Sequence, residues 1–186
     1  HKLSWFAEFI AAIPRYRENT VETTRLAVAA REHLYSWADA EGIDFDLKKA
    51  GILHIYRDRA GFEHAGAVSK LLAAGGLPRR AGTPEEMRAI EPTLAGHYHG
   101  GYFTESDATG DIHKYTVGLA AACERLGVRI VYGADVRALR SNGQRATVQV
   151  AHADGTEELG FDAVLVCAGV ASRALAAQLG ARINVY

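Results

Sequence analysis

A chain of 186 residues that is 48% hydrophobic can bury a sizeable core, as one domain or as a domain with a smaller partner. Its 21 basic and 22 acidic residues leave a formal charge of -1 spread along the chain, without the basic stripe of a nucleic-acid binder or an acidic tail. Cys123 and Cys167 follow no zinc or disulfide spacing and suit a reducing compartment, and no run approaches the roughly 18 apolar residues needed to cross a bilayer.

Trp5, Phe6, Phe9, Ile10 and Ile13 form one helical stripe that ends near Pro14. A second helix is expected from a cap at Asn19 or Thr20, with Glu22 three residues after Asn19, and its apolar face runs through Leu26, Ala30, Leu34, Trp37 and Ala38 to Gly42. "DFDLKK" and "GILHIYRD" read as a strand pair, with Ile52, His54 and Tyr56 on one face and Leu53 and Ile55 on the other. Phe62, Ala65, Val68, Leu71 and Leu72 predict a helix over 61–75 that "AAGGLP" stops. "TPEEMRAIEP" predicts a short helix with Thr83 as cap, Pro84 at its first position and Glu86 at its third.

A cluster of tyrosine, histidine and glycine follows at 97–103. Asp111 is then placed to cap a helix carrying Ile112, Tyr115, Leu119, Ala122, Cys123 and Leu126 on one side. Beyond it the period changes to two. "VRIVY", "ADVRALR", "ATVQVAHA", "EELGF" and "DAVLVCA" read as strands, with "SNGQ" and "DGT" as turns of an antiparallel meander. Val128–Tyr132 and the strand at 163–167 are expected to be neighbours in a parallel sheet covered by helices, while 44–103 form a separate, mostly antiparallel part. The final "INV" reads as a further strand. With His1 at its start in place of Met, the chain is expected to be an excised piece of a longer protein.

"VLVCAGVAS" is a buried strand ending in small residues, and Ala168 and Gly169 permit close backbone approach at its end. It is not G-x-G-x-x-G, so its own residues fit either a nucleotide contact or a plain strand-to-helix turn. The connection around Asp135 and Val136 would lie at the carboxyl edge of the parallel sheet, where ligands of such sheets bind, or be an ordinary connection. No metal site is expected from His54, His97, His99 and His113, because no i, i+4 pair lies on a helix and no carboxylate cluster completes a ligand set. Glu105, Asp107 and Asp111 lack the ligand count of a calcium loop and read as a loop leading into the Asp111 cap. No Ser/His/Asp set or cysteine nucleophile stands out, so the catalytic residues are unknown, and Cys167 is expected to be inert core.

Taken in order, "GILHIY", "IEPTL", "GGYFTESDATGDIHKYTVGLAAACERLGVRIVYGADVRAL" and "FDAVLVCAGVASRAL" resemble the FAD-dependent D-amino acid dehydrogenase (small subunit) family. That family lies within the wider group of D-amino acid oxidase, glycine oxidase and sarcosine oxidase flavoproteins, and "ATGD" followed by a helix favours the dehydrogenase branch. The resemblance implies an α/β fold, with part of a Rossmann-like FAD-binding sheet and meander at 105–186 and a portion of the antiparallel substrate-binding cap at 1–104. It implies main-chain contacts from Val136 to the adenine side of FAD, approach of Ala168 and Gly169 near its phosphates, and His54 and Tyr102 as candidates for the substrate pocket.

The implied activity is oxidative deamination of D-amino acids to 2-oxo acids and ammonia, with electrons passed to a quinone or other respiratory acceptor. The implied setting is cytoplasmic or peripheral on the inner face of the bacterial plasma membrane. The glycine-rich turn that holds the FAD pyrophosphate in this family is absent from the sequence, so the chain corresponds to a central fragment that alone is expected to be inactive. The alternatives are a glycine or sarcosine-type amine oxidase using oxygen, and a non-catalytic α+β binding domain.

Overall fold

The computed structural model describes residues 2–183 and 185. They form two compact units, His1–Gly127 and Val128–Tyr186. In element content the chain is α/β: six helices accompany two three-stranded antiparallel sheets among the described residues.

The first unit begins with α1 (Lys2–Ala12), a 3-10 turn at Ile13–Arg15 that accommodates Pro14, and the long α2 (Tyr16–Glu41). The stripe predicted for α1 is present, but Trp5, Phe6, Phe9, Ile10 and Ile13 are all exposed. Asn19 and Thr20 do not cap α2, which starts at Tyr16, before either residue. The hydroxyls of Thr20 and Thr24 donate to the carbonyls of Tyr16 and Thr20 at 2.7 Å, so these side chains serve the helix from within. At the other end Gly42 takes a left-handed φ of 64° and donates to the Ala38 and Asp39 carbonyls, the ending its position predicts.

β1 (Ile52–Tyr56) is joined by α3 (Arg59–Ala74) to β2 (Arg80–Gly82), and α4 (Pro84–Ile90) leads to β3 (Gly100–Thr104). The sheet order is β1-β3-β2. Asp58 caps α3 through the Gly61 N–H, and α4 carries the full capping box between Thr83 and Glu86. "DFDLKK" is not the partner of β1. It makes only an isolated bridge, Lys48 with Thr109, because the loop 105–111 lies along it: Gly51 N–H donates to the Asp107 carbonyl at 3.0 Å and Asp111 N–H to that of Phe45 at 2.7 Å.

Asp111 then caps α5 (Ile112–Arg125) by accepting from the N–H groups of His113 and Lys114 at 2.9 and 3.0 Å. The bond from Lys114, supported by that from His113, holds the Asp111 carboxyl below its ordinary range. Beneath α2 and α5, the buried Ala38, Phe45 and Tyr115 form a core in which the two rings meet edge to face at 5.3 Å.

The second unit is a meander of β4 (Asp135–Ser141), β5 (Ala146–His152) and β6 (Gly155–Phe161), followed by α6 (Ser172–Gln178). Leu139, Val148 and Val150 make its core, with Val166 packed against them. The expected parallel pairing of 128–132 with 163–167 is not made: neither segment joins a sheet among the described residues. A run of apolar residues supplies the side chains of a central strand but not its neighbours, and without a hydrogen-bonded partner it has no ladder. Asp135 and Val136 therefore begin an antiparallel meander, and among the described residues there is no parallel sheet for them to edge. Cys167 is exposed, not core, for the same reason, and Leu165 beside it is 89% exposed. Asn184 and Tyr186, within and after the expected "INV" strand, lie outside the described residues.

Candidate functional site

The second unit holds the three residues expected near a cofactor. Val136 is the second residue of β4, pairs with Val150 and is 41% exposed. The register slips between Val136 and Ala138, so Arg137 has no partner across β5, and such a bulge bends the strand and re-aims its side chains. Ala168 and Gly169 stand where the unpaired segment 163–168 enters α6 through a 3-10 turn, Gly169–Ala171. Gly169 has φ +54°, and no heavy atom lies within 4 Å of the place its Cβ would take. Glycine thus gives this turn both its left-handed backbone and an open face. The turn is shaped from within by Ser172, a buried hydroxyl that accepts from the Ala168 N–H at 3.0 Å.

α6 reaches back to the bulge through its last residue. Gln178 Oε1 accepts from the Leu139 N–H at 2.8 Å, and Gln178 Nε2 donates to the Arg137 carbonyl at 3.4 Å. A glutamine 39 residues from Leu139 carries no signal in the sequence that it would complete the edge of that strand.

In the first unit His54 and Tyr102 are brought face to face across the β1–β3 ladder. Tyr102 is 7% exposed and enclosed by rings: Phe62 stacks on it at 5.0 Å and Tyr56 meets it edge-on at 6.0 Å. The Arg79 guanidinium lies 5.2 Å above the Tyr102 ring and donates to the Tyr56 hydroxyl at 3.5 Å. His54 is exposed, yet partial desolvation by its neighbours, and then the positive charge of Arg79, push its imidazole below the ordinary value of 6.5, with Asp107 pulling the other way.

Asp107 is itself paired with Arg31 at 3.1 Å, and both side chains are mostly covered. Within the loop "TESDATGD", which does lead into the Asp111 cap, the partner of Asp107 is an arginine 76 residues earlier. Sequence spacing could not have found it. His97, also weighed as a ligand, precedes β3, and the His99 ring packs on Phe62 at 5.4 Å.

This unit also carries open grooves. One, of about 780 Å³, is lined by Tyr35, Asp39, Ile43, Phe45 and Lys49, and another, of about 670 Å³, by Phe9, Ile13, Tyr16, Thr24, Leu72 and Leu77.

This architecture recurs in solved structures. The chain superposes on glycine oxidase from Geobacillus kaustophilus with a TM-score of 0.68 at 21% identity, over 85% of this chain and 41% of that one. L-amino acid deaminase from Proteus vulgaris gives 0.71 at 18% identity, over 87% and 38%. The class is therefore the flavoenzyme fold that these proteins share.

Residues 4–186 match the family model of the FAD dependent oxidoreductases, DAO, and the chain belongs to that family. It is 50% identical over 186 residues to D-amino acid dehydrogenase 3 of Mesorhizobium japonicum, covering 100% of this chain and 45% of that protein. It is 36% identical to a D-amino acid dehydrogenase of Paramagnetospirillum magneticum, over 98% and 44%. The chain thus spans less than half the length of these relatives. Among the described residues no helix is long and apolar enough to cross a membrane.

Proposed function

We propose that this chain is the central part of an FAD-dependent enzyme that oxidatively deaminates D-amino acids to 2-oxo acids and ammonia and passes the electrons to a quinone or another acceptor. The observation that carries the reading is 50% identity, sustained over all 186 residues, to a protein named for D-amino acid dehydrogenation. A peripheral position on the inner face of the plasma membrane belongs to the same proposal, as the side from which a quinone would be met.

Residues 1–104 are assigned to the part that covers the substrate and 105–186 to the part that binds FAD. Compaction divides later, after Gly127, so the assignment concerns roles and not packing. FAD, when bound, supplies the electron-accepting ring, and the protein supplies orientation and surroundings.

Val136 contributes main chain toward the adenine side, and its exposed place beside a bulge supports this. Ala168 and Gly169 approach near the phosphates, supported by the left-handed backbone at Gly169 and the open space beside it. Both features suit a cofactor met by backbone in preference to charged side chains. His54 and Tyr102 belong to the sheet toward the substrate, with Tyr102 acting through shape because its ring is walled in by Phe62 and Tyr56.

Steady-state assay of the complete protein against D-amino acids, glycine and sarcosine, with a dye acceptor and separately for peroxide, tests the reading. Dye reduction with D-amino acids is expected. Peroxide from glycine without turnover of any D-amino acid would overturn it.

A further inference from the structure

The two segments assigned to FAD, the Val136 bulge and the Ala168–Gly169 turn, are fastened to opposite ends of one short helix. At the start of α6, buried Ser172 accepts from Ala168 N–H at 3.0 Å. At its end, Gln178 accepts from Leu139 N–H at 2.8 Å and offers its Nε2 to the Arg137 carbonyl at 3.4 Å. β4 is an edge strand of its sheet, so these main-chain groups have no strand beyond them among the described residues. The carboxamide takes the place of that strand at two positions, and Arg137 is the residue left unpaired by the register slip. Packing reinforces the link, since Val166, two residues before Ala168, rests on the cluster of Leu139, Val148 and Val150.

We propose that Gln178 is a positioning residue for FAD binding: its bidentate bond to β4 holds the Val136 bulge and the Ala168–Gly169 turn in one fixed relation. The inference rests on the cofactor reading above. Two main-chain contacts to one rigid ligand gain affinity only if their separation is set before binding, because any ordering left to the binding step weakens it. Leu139 N–H, beside a side chain that is 3% exposed, would otherwise lose its partner.

The test titrates FAD into the apo form of the complete protein and follows amide exchange at Leu139, for the wild type, Gln178→Met and Gln178→Glu. Methionine keeps the length and helix preference but makes neither bond, and FAD is expected to bind about fivefold more weakly, with faster exchange at Leu139. Glutamate still accepts from Leu139 N–H, so that amide stays protected, but its second oxygen faces the Arg137 carbonyl with no proton to share, and FAD affinity is expected to fall between the wild type and Gln178→Met.

A Gln178→Met protein that binds FAD like the wild type overturns the inference even if Leu139 exchanges faster, because the bond is then only structural. Should Gln178→Met not fold, Gln178→Glu decides: FAD affinity within about twofold of the wild type overturns the inference, and a larger loss with Leu139 still protected supports it. A wild type with no affinity for FAD overturns the cofactor reading and this inference together, which separates that failure from the others.

Discussion

Replacing Met87 by alanine should loosen the first unit sharply. Met87 is 0% exposed and is the anchor that the capped helix α4 sets against the β1-β3-β2 sheet. Its side chain fills space that two glycines leave free. A Cβ on Gly82 would stand 2.1 Å from Met87 Cε, and one on Gly101 would stand 2.7 Å from Met87 Sδ. Removing Cγ, Sδ and Cε leaves a cavity whose nearest walls have no side chains to swing into it. The cost therefore belongs in the middle to upper part of the ~2–5 kcal/mol span for such truncations, about 3–4 kcal/mol.

For a urea dependence of about 2 kcal/mol per molar, the unfolding midpoint followed by circular dichroism of the complete protein should fall by about 1.5–2 M. A fall below about 0.5 M would show that the glycine-lined space collapses or hydrates freely, and would refute the packing argument. Gly101→Ala should also destabilise, because its Cβ would meet the His54 carbonyl, a backbone atom, at 2.7 Å.

Since the folded state holds His54 below 6.5, the unfolded chain takes up its proton first as pH falls, so stability is full above the unfolded value and declines through the window down to the depressed folded value. An NMR titration should place the His54 midpoint below 6.5, and the pH dependence of unfolding in that window should flatten in His54→Gln; a midpoint at or above 6.5 contradicts the sign. A double-mutant cycle on Arg31→Ala and Asp107→Ala should give a coupling of about 1 kcal/mol or more, because the pair is largely withdrawn from water; coupling near zero would class it with ordinary surface pairs. Gly169→Ala should cost about 1–2 kcal/mol for the left-handed backbone at φ +54°, with weakened FAD titration of the complete protein as the readout on function; unaltered stability and affinity would refute both roles.

Signals carried by neighbouring residues were legible in the sequence. The Thr83–Glu86 capping box, the Asp111 cap, the Gly42 ending and the meander turns at 142–144 and 153–154 all depend on residue types that set the backbone within a few positions. Partner choice was not legible. "DFDLKK" alternates like a strand, yet the loop at 105–111 claims its main chain, and only an isolated bridge forms. "VRIVY" and "DAVLVCA" have the composition of central strands, but composition does not bring a second strand alongside. Of the site, Gly169 could be anticipated from its residue type. The clamps Arg31–Asp107 and Gln178–Leu139 join residues too far apart in sequence for any spacing rule to reach.

The central claim is that the complete protein carries FAD and uses it on D-amino acids. Its most direct test is anaerobic mixing of the purified complete protein with D-alanine, L-alanine or glycine while the visible absorbance of the bound flavin is followed. Bound flavin bleached by D-alanine and not by L-alanine or glycine is the predicted result. Absence of bound flavin, or bleaching by glycine or L-alanine with none by D-alanine, would contradict the account.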